Sequence, residues 1–135
     1  MLSDSLKTGN SDIDEQHEQL LTIVEELKIC SLTDNRKEAK LLFIQFLNHI
    51  VYHFTFEEML MYKIKYPAPL TETHRQKHKE LQEIYLKVFK PILANKLDVL
   101  TIVEIFEKEF LKHLLVEDKE LAEFIAKTQQ ARIQL

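Results

Sequence analysis

The sequence predicts an all-α protein, an up-down-up-down four-helix bundle with an N-terminal arm and a short C-terminal helix. Its length of 135 residues is that of one domain, so we expect a single domain over residues 1–135. One Gly and three Pro are too few for a turn-rich β protein. Apolar residues recur at spacings of three and four over four long segments, as in amphipathic helices joined by short loops.

The N-terminal arm is expected to cover residues 1–11, where a Gly-Asn-Ser sequence ends it. Asp12, with Glu15 three residues later, is typical of a helix start. We therefore expect the first helix from about residue 12 to residue 30. Its predicted inner face consists of Ile13, His17, Leu20, Leu21, Val24 and Leu27.

The second helix is predicted over residues 36–64, where the apolar stripe runs without a break. Pro67 and Pro69 are expected to keep the following segment out of helix. Thr71 is a suitable N-cap for the third helix, and Pro91 lies near its end.

The fourth helix is predicted over residues 97–116, which completes a bundle domain over residues 12–116. Residues 117–135 are expected to form a short amphipathic C-terminal helix and tail that covers the end of the bundle. Because short loops make consecutive helices antiparallel, the middle of each helix should face the same part of the core.

Five of the six histidines and two acids lie on the apolar stripes of these four helices. Polar side chains are costly to bury without partners, and metal coordination removes that cost. Residues four apart on a helix point in nearly the same direction, so HxxxE and HxxxH segments each present two ligands together. The candidate metal ligands are His17, His53, Glu57, His74, His78, His113 and Asp118.

The least regular pair in this pattern is His113 and Asp118, which are five residues apart. In a regular helix their side chains would point about 140° apart. Both can reach one site only if the helix ends or bulges between them. We therefore predict an interruption of the fourth helix between these two residues.

The number of candidate ligands favours two metal ions with one open coordination position. Imidazole and carboxylate ligands suit iron, zinc, copper or nickel. If both carboxylates bridge, the side chains and one bridging oxide or hydroxide fill all but one position of two octahedral ions. An open position favours the binding of a small ligand over a purely structural role.

Each motif alone has a simpler interpretation. The lone His17 would ordinarily be a buried core histidine, the His74/His78 pair a solvated pair, and Asp118 a surface acid. Their joint order on four helices makes a two-metal site the better hypothesis. His49 is left over, and we expect it not to be a ligand. We expect Glu58, beside Glu57, to be solvated or paired with another helix.

Over nearly its whole length the sequence resembles the hemerythrin family in its single-domain bacterial form. The resemblance rests on Ile13-Asp14-Glu15-Gln16-His17, His53-Phe54-Thr55-Phe56-Glu57, Tyr66-Pro67, His74 to His78, and His113 to Asp118. It implies two iron ions and reversible binding of dioxygen at the ion with fewer protein ligands. One iron would be held by His74, His78 and His113, the other by His17 and His53, with Glu57 and Asp118 bridging.

We expect a carrier that stores, transports or buffers dioxygen, and no enzymatic activity. A histidine-rich centre favours release of oxygen, whereas ferritin-like di-iron proteins use more carboxylates. The alternatives are a di-iron oxidoreductase acting on peroxide or nitric oxide, an oxygen sensor working through a separate partner, and iron storage. The candidate residues for lining an oxygen pocket are Phe56, Leu60, Phe110 and Leu114.

Bulk properties exclude other classes of partner. A formal charge of −4 without a basic stripe argues against nucleic acid. No apolar run is long enough to suggest a membrane span, and no signal peptide is evident. The lone Cys30 fits a reducing compartment, so a cytoplasmic location is predicted. The chain has no Trp, in contrast to many hemerythrins, and nothing in the sequence fixes an oligomeric state.

Overall fold

The computed structural model describes residues 2–33, 35–93 and 98–134, and its regular elements in these ranges are all helical. The predicted start of the fourth helix at residue 97 lies outside the described residues. The elements are a 3-10 turn at Asp4–Leu6, α1 at Ser11–Thr33, α2 at Arg36–Lys63, α3 at Ala68–Leu93, α4 at Val99–His113, a π-helical turn at Leu114–Asp118 and α5 at Lys119–Gln134.

The four long helices form the predicted bundle. Helix α1 packs against α2 and α4, and α3 packs against the same two helices. Neighbours along the chain are therefore neighbours in space, as short connections require in an up-down-up-down bundle. The all-α fold class predicted from the sequence is confirmed.

The start of α1 differs from the prediction. The helix begins at Ser11, and its N-cap is Asn10, whose side-chain oxygen accepts a hydrogen bond from the backbone N–H of Ile13 at 3.0 Å. Asn is as good an N-cap as Asp because both offer a short side-chain oxygen. The Asp12 signature therefore placed the helix start slightly too late.

The start of α3 also differs from the prediction. This helix begins at Ala68, so Pro69 lies inside its first turn and Thr71 is not the N-cap. The backbone N–H of Thr71 donates to the carbonyl of Pro67 at 2.9 Å, which is a first-turn helical bond. Proline is tolerated there because the first turn has no intrahelical partner for its missing N–H.

Among the residues that the structure describes, the core consists of two apolar clusters. The larger one contains an aromatic layer, which we define as Phe43, Phe46, Tyr85 and Phe106. The smaller cluster joins α5 to the end of the bundle and contains Ile13, Met61, Tyr66, Leu121 and Ile125. On α1 and α2 the candidate ligands lie between residues of the larger cluster and residues of the smaller one, so apolar packing flanks the site at both ends.

Within the described residues, no helix combines the length and the apolar character that a membrane crossing would require.

Candidate metal centre

The structure brings all seven predicted ligands together in the middle of the bundle, and each of them is buried. Helix α1 contributes one, α2 and α3 contribute two each, and the end of α4 with its π-helical turn contributes two. We call these seven side chains the metal layer. Their donor atoms form two overlapping groups, each with all atoms within 4.8 Å of one another, namely Glu57, His74, His78, His113 and Asp118, and His17, His53, Glu57 and Asp118.

The interruption predicted between His113 and Asp118 is confirmed. Residues Leu114–Asp118 form a π-helical turn, which continues into α5 without a break in the chain path. The wider turn offsets the angle that would separate side chains five apart in an α-helix. As a result, Oδ1 of Asp118 lies 2.8 Å from Nε2 of His113.

Asp118 faces the two groups with different oxygens. Its Oδ2 lies 2.7 Å from Nε2 of His17 and 3.2 Å from Nε2 of His53. Its Oδ1 lies 3.1 Å from Nε2 of His74. One carboxylate therefore offers one oxygen to each group, which is the arrangement that a bridging ligand needs.

Glu57 also belongs to both groups. Its Oε1 lies 3.1 Å from Nε2 of His78 and 3.3 Å from Nε2 of His53. Its Oε2 is buried without a hydrogen-bond partner among the described residues. An unpartnered buried carboxylate oxygen is costly, and a bound cation would remove that cost.

All five imidazoles direct Nε2 into the metal layer, and three of them have a partner for Nδ1 outside it. Nδ1 of His53 lies 2.6 Å from Oε1 of Gln16. Nδ1 of His78 lies 3.1 Å from Glu58. Such bonds fix the ring orientation and the tautomer that leaves Nε2 free for a metal.

The third of these partners is Glu117, whose Oε1 lies 3.1 Å from Nδ1 of His113. Sequence reasoning missed Glu117 and Gln16 as partners, although Glu117 stands four residues after His113 on the same helical face. Glu58 pairs with another helix, as expected. Each bridging candidate thus has a sequence neighbour, Glu58 beside Glu57 and Glu117 beside Asp118, that holds a histidine in place.

The arrangement of these side chains is better suited to binding a pair of metal ions than to hydrogen bonding among themselves. Nε2 of His17 lies 3.1 Å from Nε2 of His53, and the same distance separates Nε2 of His78 from Nε2 of His113. Converging nitrogens compete for the same few carboxylate oxygens, whereas a cation accepts all of them at once. The donor set of imidazole and carboxylate suits divalent iron, zinc, copper or nickel.

Without metal, the layer holds its charges by mutual contact. Burial alone would raise the pKa of Asp118, but the charge of His113 and its hydrogen bond hold that pKa well below its usual value. Burial alone would lower the pKa of His74, but hydrogen bonds to Asp118 and Glu57 raise it to about 9. The pKa of His113 is raised well above its ordinary value, against the effect of burial, chiefly by Asp118.

The four candidate pocket residues are divided between the two apolar clusters. Phe110 and Leu114 are buried in the larger cluster, and the Phe110 ring meets His17 edge-on with a centroid distance of 5.5 Å. Phe56 and Leu60 are partly buried and pack against the smaller cluster. Their role in binding a ligand stays a prediction. His49 is only partly buried and belongs to neither ligand group.

The surroundings of the site differ from one side to the other. A surface cleft of about 640 Å³, lined among others by Tyr66, Lys77 and Glu117, reaches the metal layer at His74. His17 and His53 have no exposed surface, so their side of the site is sealed from solvent. The cleft therefore reaches the site on the side that has three histidines.

Comparison with known proteins agrees with the fold and with a cation site. The family model described as "Hemerythrin HHE cation binding domain" matches residues 8–125. A crystal structure of wild-type hemerythrin superposes with a TM-score of 0.80 at 22% identity and covers 91% of this chain and 95% of that chain. A crystal structure of a leucine-to-phenylalanine mutant has the same score and coverage at 23% identity. No curated protein matches the sequence.

Proposed function

The chain belongs to the hemerythrin family, and from this membership we propose that it holds two iron ions and binds dioxygen reversibly. The observation that carries the proposal is the convergence of five Nε2 atoms and two carboxylates in one buried layer. We take residues 1–135 as one domain with a cytoplasmic, non-enzymatic role in oxygen storage, transport or buffering.

The ligand roles follow the two overlapping groups. In this proposal His74, His78 and His113 hold one iron, and His17 and His53 hold the other. Glu57 and Asp118 join both, which is supported by the separate oxygens that Asp118 presents to each side. His17 and His53 would hold their ion with fewer protein donors, so that side of the site would take the dioxygen.

The protein's part in reversible binding is to keep water and protons away from the open position. Two iron ions would supply the electrons that dioxygen takes up and returns. The sealed environment of His17 and His53, with Phe110 packed against His17, favours return of the ligand over its loss as a charged product. Neutral imidazoles outnumber carboxylates, which supports a carrier over an oxidant.

The test is anaerobic loading of the purified protein with ferrous iron, followed by cycles of air and argon. We expect two irons per chain and a visible absorption band that appears in air and disappears under argon over repeated cycles. A band that forms once and never reverses would contradict the carrier role. Steady consumption of peroxide or nitric oxide with a reductant would support the oxidoreductase alternative.

A matched pair of variants on α2 separates ligation from general damage. His53→Ala removes a proposed ligand, whereas His49→Ala removes a partly buried histidine one turn earlier on the same helix. We expect the first to lose the reversible band and the second to keep it. Equal behaviour of the two variants would argue against the assigned ligand set.

A further inference from the structure

The outer face of α2 is unlike the other surfaces of the bundle. In the fully described segment from Leu41 to Tyr62, every fully exposed position carries an uncharged side chain. This is unusual in a chain whose residues are 30% charged. The outer face of α3, in contrast, exposes Glu72, Arg75, Lys79, Glu80, Glu83, Lys87 and Lys90.

The uncharged face of α2 is also strongly apolar. Its large exposed side chains form one stripe together with Asn48 and Thr55, because these positions taken together recur at spacings of three and four along the helix. Single exposed apolar residues are normal, but a continuous stripe of this length marks an interaction surface. We define the α2 stripe as Leu41, Ile44, Asn48, Val51, Tyr52, Thr55, Met59 and Tyr62; the exposed Gln45 and the partly buried Glu58 lie at its two edges.

We propose that the α2 stripe is the interface of a homodimer in which two copies of α2 pack antiparallel about a twofold axis between Val51 and Tyr52. The order of polar and apolar residues along the stripe is the same read in either direction. In antiparallel packing Val51 faces Tyr52 of the second copy, and Asn48 faces Thr55 of the second copy. Ile44 then faces Met59, and Leu41 faces Tyr62.

This symmetry favours a second copy of the chain over a different partner. A twofold interface needs a surface that is complementary to itself, and a neutral stripe has no charges that repel their own copies. The two polar residues meet each other, so the side-chain amide of Asn48 can donate to the hydroxyl of Thr55. A partner selected by charge would find no charged group to recognise on the stripe.

The area of the stripe is sufficient for a stable dimer. Tyr62 is 86% exposed and Tyr52 is 60% exposed, and the aliphatic members are about half exposed. If the twofold packing covers most of this surface, the apolar members supply an area on the order of the ~800 Å² that each partner contributes to a standard interface. Lys40 and Lys63 would face each other just beyond the ends, which limits the contact to the stripe.

The interface does not use the metal layer. His53 and Glu57 are on the opposite side of α2 and are buried within the bundle. Dimerisation can therefore be tested separately from metal loading and from the proposed oxygen binding. A dimer that binds no iron would contradict the proposed function alone. A monomer that binds iron would contradict the proposed interface alone.

The first test is sedimentation velocity of the full chain with Val51→Glu and a matched control. Val51 is 53% exposed on the stripe, and Leu86 is 54% exposed on the charged face of α3. We expect the unmodified protein and Leu86→Glu to be dimers at roughly 100 µM, since interfaces of this size give micromolar or tighter dissociation constants. Val51→Glu should raise the dissociation constant at least about 100-fold, because each carboxylate is then buried against Tyr52 of the other copy and the two carboxylates flank the axis.

Circular dichroism and metal content of Val51→Glu show whether the variant is folded. A monomeric unmodified protein would overturn the proposal, and co-sedimentation of that monomer with lipid vesicles would assign the stripe to a membrane surface instead. A dimer that survives Val51→Glu, or one that Leu86→Glu also abolishes, would equally overturn it.

The second test fixes the register. In a Cys30→Ser background, Asn48→Cys with Thr55→Cys should form a disulfide-linked dimer in mild oxidant, because the two positions face each other. Leu41→Cys with Asn48→Cys should not, since both lie in the same half of the stripe. Efficient cross-linking of the second pair alone would contradict the antiparallel register.

Discussion

The metal layer and the aromatic layer lie in the same bundle and are equally buried, but different forces hold them. Phe46 and Phe106 stack with a centroid distance of 4.9 Å, and Tyr85 lies 4.9 Å from Phe106. The ring contacts need no added group, and the one unpartnered polar atom among these four side chains is the hydroxyl of Tyr85. The metal layer, in contrast, leaves Nδ1 of His17 and Oε2 of Glu57 without partners among the described residues.

The depth at which a side chain is buried therefore does not measure how much it stabilises the fold. Burying aromatic surface is favourable by itself, and each such side chain contributes through area and ring geometry. Buried carboxylates and imidazoles lose their hydration, and only well-placed partners or a bound cation offset that cost in free energy. We therefore expect the aromatic layer to stabilise the fold and the metal layer to depend on its ions.

The largest expected effect is that of Phe106→Ala in the aromatic layer. The substitution leaves a cavity among closely packed rings, and we expect the free energy of unfolding to fall by about 3–5 kcal/mol. The loss should be similar with and without metal, because the ring contacts of Phe106 are with Phe43, Phe46 and Tyr85 and not with the candidate ligands. Denaturant unfolding of both forms measures it.

Metal stoichiometry is the control for this variant. If Phe106→Ala also lost its metal ions under conditions where the protein stays folded, the two layers would not be independent. The metal layer and the aromatic layer would then form a single cooperative core.

The second prediction concerns Asp118, the residue whose oxygens face both ligand groups of the metal layer. Asp118→Ala removes both oxygens that face the two ligand groups, so we expect metal affinity to fall by at least about 100-fold, beyond the usual effect of residues outside the ligand set. Competition with a coloured chelator measures this. Glu123→Ala, an exposed acid on α5, should bind metal as the unmodified chain does.

The sequence predicted the side chains of the metal layer better than it predicted the residues that hydrogen-bond to their outer ring nitrogens. Apolar residues at helical spacing revealed where each helix faces the core, so histidines on those faces could be placed together. The five-residue step from His113 to Asp118 predicted an interruption of the helix, and the structure contains one in the form of a π-helical turn. Gln16 and Glu117 were not predicted because a hydrogen bond to the outer ring nitrogen depends on rotamers that spacing does not specify.

The helix starts were less predictable for a similar local reason. Asn10 and Asp12 are both good N-caps, and only the chain path before α1 decides between them. Pro69 reads as a helix breaker in the interior of a helix but is compatible with a first turn. Such choices depend on a few dihedral angles and not on the hydrophobic pattern.

The third prediction concerns the carboxylates that support the histidines. Glu58→Gln and Glu117→Gln keep the size of each side chain but remove the charge beside Nδ1 of His78 and His113. We expect each to weaken metal binding by about 10–100-fold while leaving the fold intact. The readouts are chelator competition and, after iron loading, a higher reduction potential.

Glu83→Gln on the exposed face of α3 is the matched control for this pair. The other side of the site offers the converse change, since His53 is held by the neutral Gln16. Gln16→Glu should lower the reduction potential of the loaded protein. No shift in either direction would mean that these bonds only orient the rings.

The fourth prediction follows from the charge state of the metal layer. Since the pKa of His74 is raised to about 9 and that of His113 is raised well above its ordinary value, both are protonated at pH 7 in the metal-free protein. Metal binding must displace those protons, and the pKa of the ligand His53 is raised as well, so at least about two protons should be released per chain at pH 7. Metal affinity should therefore rise with pH up to about 9 and fall towards acid.

An indicator dye in weakly buffered, oxygen-free solution measures this release when zinc or ferrous iron is added. The aromatic layer contains no group that titrates in this range, so Phe106→Ala should release the same number of protons. Binding without proton release near neutral pH would contradict the charge state derived from the contacts.

The smallest expected effect comes from the one polar atom of the aromatic layer. The hydroxyl of Tyr85 is buried without a hydrogen-bond partner among the described residues, and burial raises its pKa. Because an unsatisfied buried group costs free energy, Tyr85→Phe should raise the free energy of unfolding by about 1 kcal/mol. The variant keeps the ring contacts with Phe46 and Phe106, so only the hydroxyl changes. Thermal unfolding of the metal-free protein measures the gain, and a loss of stability would mean that the hydroxyl bonds a buried water and that the aromatic layer is less dry than its packing indicates.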